Sequence, residues 1–103
     1  MTGPLAYIGS STFAWDPAKS DRCLRERGFD FAYVLPAFRD SARLVEPDDR
    51  FDYGEDRFRL IGQVAGVPYV VVFTRRGVTL RLISARRAGA RERRAYHARA
   101  GRA

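Results

Sequence analysis

Three arginines accompany segments that have the composition of β-strands. Arg57 precedes the apolar segment 58–64, and Arg75 follows the β-branched run 69–73. Arg81 lies between two leucines, so in a strand its side chain points to the face opposite theirs. A guanidinium stays charged and binds phosphate through two parallel hydrogen bonds. On adjacent strands the three arginines would converge on one phosphate. Alternatively, each lies separately at a sheet edge or pairs with an acid of the loop 47–56.

Two further residues are candidates for proton transfer. Glu55 precedes Arg57 by two positions, so both side chains can share a face, and a carboxylate held ionised there is a modest general base. Such pairs are more often structural. Lys19 falls in the first turn of a predicted helix, where its charge opposes the helix dipole, which hints at a function. His97, the only histidine, is interpreted as exposed and idle.

Several kinds of site have no sequence signature here. The chain contains no glycine-rich phosphate loop, no nucleophile elbow and no metal-ligand spacing, so we predict neither a metal nor a cofactor. The single Cys23 excludes an internal disulfide and fits a reducing compartment. No apolar run approaches the length of a membrane span, and residues 1–11 lack the basic start of a signal peptide. A cytoplasmic location without a membrane is the expectation.

Positive charge is concentrated at one end of the chain. The net charge is +7, but residues 75–103 contain ten arginines against one acid, a net of +9, whereas residues 1–74 carry −2. This asymmetry favours a phosphate-rich or an acidic protein partner. The alternative is a solvated basic helix in a genome that favours arginine codons.

The first half of the chain predicts one short strand and two helices. The strand is 13–15, and Asp16-Pro17 then begins a helix that ends near Arg27, before Gly28. Phe31, Val34, Leu35 and Phe38 form a helical apolar stripe that is interrupted by a proline. Residues 1–11 are interpreted as a possible loose extension.

The second half predicts four strands and a final helix. The strands are 43–46, 58–64, 69–73 and 79–84, with the last three as a meander, and the helix follows Ala88. The length suits one domain over residues 1–103. We therefore expect an α+β fold: a mostly antiparallel sheet, two N-terminal helices and one C-terminal helix, with the helices packed on one face.

Several segments resemble one known family, the BrnT-type toxins of bacterial toxin–antitoxin pairs. The matching segments are Gly28, Phe31, FAWDPAK at 13–19, GEDRFRLIG at 54–62, VVFTRRG at 71–77, RLISARRA at 81–88 and ERRAY at 92–96. The resemblance covers most of the chain after Ser11. It implies a RelE-like fold, metal-independent ribonuclease activity and a small antitoxin that carries a DNA-binding domain.

The resemblance also implies roles for particular residues. The family's lysine falls on Lys19, and its Glu-x-Arg-Phe pattern falls on Glu55, Arg57 and Phe58. Its strand and post-strand arginines fall on Arg75, Arg81, Arg86 and Arg87. The resemblance thus assigns catalysis to Lys19, Glu55, Arg57 and Arg81, and RNA binding to Arg75, Arg86 and Arg87. Where the family has a histidine at the end of its first helix, this chain has Arg27.

The leading hypothesis is a toxin that cleaves RNA and thereby inhibits translation. The ribose 2′-hydroxyl would attack the adjacent phosphate, and arginines would stabilise the developing charge. The alternative is a weak or inactive homologue that binds its antitoxin or RNA, because Arg27 replaces the family histidine. In a third interpretation the basic C-terminal segment docks on the ribosome and contributes nothing to catalysis.

Overall fold

A computed structural model describes residues 12–49 and 54–101. The elements within these ranges follow the predicted order. They are β1 (Thr12–Trp15), α1 (Pro17–Arg27), a 3₁₀ helix (Ala32–Arg39), β2 (Leu44–Pro47), β3 (Arg57–Val64), β4 (Val67–Arg76), β5 (Thr79–Arg87) and α2 (Ala90–Ala100). The possible extension at residues 1–11 and residues 50–53 of the acidic loop lie outside the described residues.

The five strands form one sheet in the order β1-β5-β4-β3-β2. β2, β3, β4 and β5 pair antiparallel in succession, and the predicted meander of β3, β4 and β5 is confirmed. β1 runs parallel to β5, so the sheet is mixed and the prediction of a mostly antiparallel sheet is wrong. A tight turn forces its two strands to be antiparallel, whereas β1 reaches β5 from far along the chain and no hairpin sets its direction.

The predicted central strand, β4, is the middle strand of the sheet. Tyr69, Val71 and Phe73 belong to the core on one face of the sheet, while Val70 lies in a second, smaller core on the other face. The run is buried from Pro68 to Thr74. A continuous apolar run of this kind is what a strand covered on both faces requires.

The larger core lies between the sheet and the first two helices. Asp16 accepts a hydrogen bond from the Ala18 amide at 2.9 Å, and Gly28 ends α1 with a φ of 86°, as predicted. The predicted apolar stripe from Phe31 to Phe38 is in this core, but its segment is a 3₁₀ helix. Pro36 lacks the amide hydrogen that an α-helix would use at that position, which favours the tighter, shorter form.

The smaller core lies under α2, on the opposite face. Ile61 and Val70 contribute the sheet side of this core, and Ala88 and Tyr96 contribute the side next to α2. The expectation that all helices pack on one face is therefore wrong. β3 and β4 carry apolar side chains on both faces, and α2 covers those that the first two helices cannot reach.

A carboxylate ties α2 to the sheet. Asp40 Oδ2 accepts hydrogen bonds from the Tyr96 hydroxyl at 2.6 Å and from the Gln63 amide at 2.9 Å. Burial raises the pKa of Asp40, but these bonds and one from the Ala42 amide outweigh it, so the net pKa is lowered. Burial, with the Asp40 charge added, raises the pKa of Tyr96 to about 12.

The α+β class is confirmed, whereas the RelE-like form of the fold stays a prediction. None of the described helices combines the length and hydropathy that a membrane crossing requires.

Candidate functional site

The two predicted catalytic arginines lie on either side of one buried threonine. In the register of the sheet, Thr74 of β4 stands opposite Arg57 of β3 and opposite Arg81 of β5. Side chains in directly opposite positions share a face, so the three form a row across the three strands. Helix α2 covers the other end of this face, around Ile61 and Val70.

The neighbouring rows add two more arginines. Arg59 stands opposite Val72, and Arg86 stands opposite Val70, so both point to the same face as Arg57 and Arg81. We call this set the arginine face, and it consists of Arg57, Arg59, Arg81 and Arg86. Its positive charge comes from residues fixed on strands, which hold their side chains more firmly than a loop does.

Thr74 forms the floor of the arginine face. Its side chain is only 2% exposed although the face is polar, and its hydroxyl donates a hydrogen bond to the Asp56 carbonyl at 2.6 Å. This bond fixes the backbone that leads into β3 and therefore the position of Arg57. The hydroxyl is committed to a structural contact, so we assign it a positioning role.

Acidic side chains partly neutralise the arginine face at its margins. Glu46 of the edge strand β2 accepts a hydrogen bond from Arg59. Glu92, in the first turn of α2, accepts two bonds from Arg86, at 2.8 and 2.7 Å. The bonds from Arg86 lower the pKa of Glu92 to about 2, against an opposing effect of burial, with the Gly89 amide and the charge of Arg59 adding to the decrease. The Nε of Arg59 is buried and has no hydrogen-bond partner within the described ranges.

Glu55 lies at the end of the arginine face, near the turn between β4 and β5. Its Oε2 is 3.5 Å from Arg57 Nε, and its Oε1 is 3.3 Å from Arg76 Nη2. The structure thus places Glu55 beside Arg57, where the sequence predicted it. A carboxylate held by two arginines beside the row of Thr74 can accept a proton from a group bound there.

Lys19 lies apart from this cluster. It lines a groove of about 290 Å³ between α1 and β5, beyond the point where β1 stops pairing with β5. The other residues of the groove are Arg22, Cys23, Glu26, Arg27, Phe31, Ile83 and Ser84. Ser84 connects this groove with the arginine face, because it lines the groove and also stands opposite Val72. Lys19 therefore lines a concavity that includes neither Arg57 nor Arg81.

The three arginines predicted to bind RNA point in different directions. Arg86 lies on the arginine face, while Arg87 stands opposite Tyr69 on the other face. Arg75 stands opposite Leu80, a residue of the larger core, so it also points away from the arginine face. The expected convergence of Arg75 with Arg57 and Arg81 is wrong. Residues adjacent in a strand point to opposite faces, and Thr74 occupies the position that faces the two arginines.

Arg86 and Arg87 also differ from the prediction in their secondary structure. The last strand was expected to end near Ser84, with both arginines after it, but β5 continues to Arg87. A register shift opposite Val72 and Phe73 adds one residue to β5 there. A bulge of this kind re-aims the side chains that follow it.

Sequence reasoning missed Arg59, Thr74 and Ser84. The signal for Arg59 was present, because Arg57 and Arg59 are two positions apart in one strand and must share a face. Thr74 was visible as the first polar residue after an apolar run. Ser84 had no signal, because its place depends on the bulge.

Comparison with protein families identifies the chain's relatives. The family model of the ribonuclease toxin BrnT, of type II toxin–antitoxin systems, matches residues 15–92. This range includes both helices of the larger core, the whole arginine face and Lys19. No curated protein matches the chain.

Proposed function

We propose that this chain, which belongs to the BrnT family of ribonuclease toxins of type II toxin–antitoxin systems, cleaves RNA at its arginine face. The reaction is attack of a ribose 2′-hydroxyl on the adjacent phosphate, with departure of the 5′-oxygen of the next nucleotide. The phosphate gains negative charge in the transition state. Preorganised cations aimed at that charge lower the barrier.

The observation that carries the proposal is the row formed by Arg57, Thr74 and Arg81. Arg57 and Arg81 stand opposite Thr74 from either side and share its face of the sheet, and Thr74 between them is buried. Each arginine can offer a planar pair of donors to phosphate oxygens. Arg59 and Arg86 lie on the same face in the neighbouring rows, each already paired with a carboxylate.

Proton transfer is assigned to Glu55 first. Its carboxylate is beside Arg57, so it can take the 2′-hydroxyl proton of a nucleotide bound between the arginines. We assign Lys19, in the groove between α1 and β5, to donate the proton that the departing 5′-oxygen takes up. Neither role requires a metal ion, and we propose that cleavage is metal-independent.

A cognate antitoxin follows from the family, since type II toxins are paired with one. We propose that this antitoxin carries a DNA-binding domain and binds the basic C-terminal segment, where residues 75–103 have a net charge of +9. Exposed charge contacts weaken as salt rises. Co-expressed chains should elute together from a sizing column at low salt, and separate elution there would contradict this surface.

The cellular consequence we propose is inhibition of translation, through cleavage of RNA in the cytoplasm. Arg87, Arg91 and Arg94 are exposed, and we propose that they contact RNA that extends beyond the site, including RNA on a ribosome. We propose that residues 1–103 form a single toxin domain.

The deciding experiment measures cleavage of total RNA in the presence of a chelator, together with growth after induction. The wild-type chain should cleave and arrest growth. Arg81→Ala should slow cleavage about a hundredfold, as loss of one charge-stabilising donor does elsewhere. Arg81→Lys should restore only part of the rate, because an ammonium cannot reproduce the planar fork. Arg75→Ala is the matched control, since it removes the same charge one strand away but from the opposite face.

The second candidate function is an inactive toxin that only binds its antitoxin or RNA. It is favoured by Arg27, which lines the groove with Lys19 where the family pattern has a histidine. A wild-type chain that neither cleaves RNA nor arrests growth, yet binds its antitoxin, would establish this alternative. Equal cleavage by wild type and Arg81→Ala would leave the enzyme in place and refute the assigned site.

A further inference from the structure

A second concavity lies on the opposite face of the sheet, next to the C-terminal end of β5. It has a volume of about 340 Å³, within the range of about 300 to 1,000 Å³ that is usual for ligand pockets. We call it the aromatic pocket. Its lining residues are Leu24, Arg27, Gly28, Phe29, Asp30, Tyr33, Tyr69 and Arg87.

Three aromatic rings hold one another in place in this pocket. Tyr69 packs edge-on against Phe29, with centroids 4.9 Å apart, and edge-on against Tyr33, at 5.9 Å. Phe29 and Tyr69 are buried, whereas Tyr33 is 43% exposed. Tyr33 is therefore a rigid ring with an accessible surface, since its neighbours restrict its rotation. Such a ring can accept another flat ring at little cost in conformational entropy.

The pocket is positively charged at its rim. Arg27 ends α1, and Arg87 stands opposite Tyr69 in the sheet. Arg87 lines the pocket together with the three rings. Burial, with neighbouring Tyr33 adding to it, raises the pKa of Tyr69, while Arg87 opposes the rise. Asp30 is the one carboxylate of the lining, and its Oδ1 is already occupied by the Tyr33 amide at 3.0 Å.

The aromatic pocket is connected to the arginine face through β5. Arg86 and Arg87 are consecutive, so one points to the arginine face and the other to the pocket. Arg27 lines both the pocket and the groove that contains Lys19 and Ser84. A chain of phosphates that crosses the edge of β5, beyond the end of β1, would pass Arg86, Arg27 and Arg87.

We infer that the aromatic pocket binds an unpaired base of the same RNA that is cleaved at the arginine face, with the base stacked on Tyr33 and its phosphate near Arg87. The inference rests on the proposed function. The combination of exposed aromatic ring and flanking arginines is what single-stranded nucleic acid binding uses, because every base has a π-face and every nucleotide a phosphate. A hydrophobic peptide anchor would not require the two arginines.

The test measures binding of fluorescently labelled 2′-O-methyl oligoribonucleotides, which cannot be cleaved because the attacking hydroxyl is blocked. For an octanucleotide, Tyr33→Ala should raise Kd roughly 5- to 100-fold, the range found when base-stacking aromatics are replaced. Tyr33→Phe should restore binding because it keeps the ring, whereas Tyr33→Leu should not. Val45→Ala is the control for loss of an exposed apolar side chain, since Val45 lies on the far edge strand. Thermal melts check that every variant is folded.

Chain length separates this inference from the proposed function. A dinucleotide spans only the cleavage site, so its cleavage should respond to Arg81→Ala and not to Tyr33→Ala. If the octanucleotide binds Tyr33→Ala as tightly as wild type while Arg81→Ala still slows cleavage, the pocket inference fails and the proposed function stands. If wild type neither binds nor cleaves RNA, both fail. If Tyr33→Ala weakens the antitoxin complex but not RNA binding, the pocket belongs to the antitoxin interface and the inference is overturned.

Discussion

Arg57 and Arg81 belong to strands that do not pair with each other, yet both stand opposite Thr74. β4 lies between their strands, so their backbones are separated by two strand spacings, roughly 10 Å. An arginine side chain can bridge about half of that distance from each side. The two guanidinium groups can therefore meet a single phosphate over Thr74, and the sheet register, rather than a flexible loop, sets their distance.

This relationship predicts that the two arginines are energetically coupled in catalysis. Arg57→Ala and Arg81→Ala should each reduce kcat by about a hundredfold. The double variant should lose clearly less than the product of the two effects, because groups that act on one charge are not additive. The rates of single-turnover cleavage of a short RNA by wild type, the two single variants and the double variant measure this coupling. Arg75→Ala combined with Arg81→Ala serves as the control pair and should be additive. Additivity between Arg57 and Arg81 would show that they do not act on the same phosphate.

The contact between Glu92 and Arg86 predicts a loss of stability in acid. The pKa of Glu92 is about 2 in the folded chain, below its ordinary value of 4.5. Because the pKa is lower in the folded chain, the ionised Glu92 stabilises the fold above pH 4.5. This contribution is lost as the pH falls from 4.5 toward 2. Arg86 is substantially exposed, so solvent screening limits the effect to roughly 1 kcal/mol.

Denaturant unfolding at a series of pH values measures this effect. Glu92→Gln should lower the free energy of unfolding at neutral pH and flatten its decrease between pH 5 and pH 2, as one titrating group is removed. Glu26→Gln is the control, because Glu26 is an exposed glutamate of α1. An unchanged acid profile in Glu92→Gln would mean that the ion pair adds nothing to folding.

The elements of this fold follow closely from local sequence signals. Asp16-Pro17 and Gly28 set the ends of α1, and the apolar run of β4 predicted the centre of the sheet. These signals act over a few residues, through caps, turns and alternation. Such local signals cannot predict the direction of β1, because it depends on pairing with β5 nearly seventy positions later.

The candidate site was predictable only in part for a similar reason. Alternation within one strand gave the orientation of Arg81 relative to its leucines, which the structure bears out. Whether Arg75 shares that face depends on the register between two strands, and here Thr74, not Arg75, meets Arg81. The position of Lys19 depends on where β1 ends and where β5 bulges, which no local pattern encodes.

The hydrogen bond between Tyr96 and Asp40 predicts how firmly α2 is attached. Tyr96→Phe keeps the ring but removes the donor at 2.6 Å, and should cost about 1–2 kcal/mol of stability. The pKa of Tyr96 is raised to about 12, so its contribution is intact below pH 10 and is lost as pH rises toward 12. Chemical unfolding between pH 7 and pH 12 should show this alkaline decrease in wild type and a smaller one in Tyr96→Phe. Equal alkaline profiles in the two proteins would contradict the assigned bond.

The last prediction concerns Val71, at the centre of β4. Its side chain has no exposed surface, and it stands between Leu60 of β3 and Ala85 of β5. Val71→Asp would place an unpaired charge in the larger core, which costs more than the typical stability of a small domain can absorb. Far-UV circular dichroism should show the loss of cooperative melting. Val45→Asp is the matched control, because Val45 is 50% exposed on the edge strand β2 and charged residues are well tolerated on edge strands. A cooperative melt of Val71→Asp near the wild-type temperature would show that β4 is not the covered centre of this sheet.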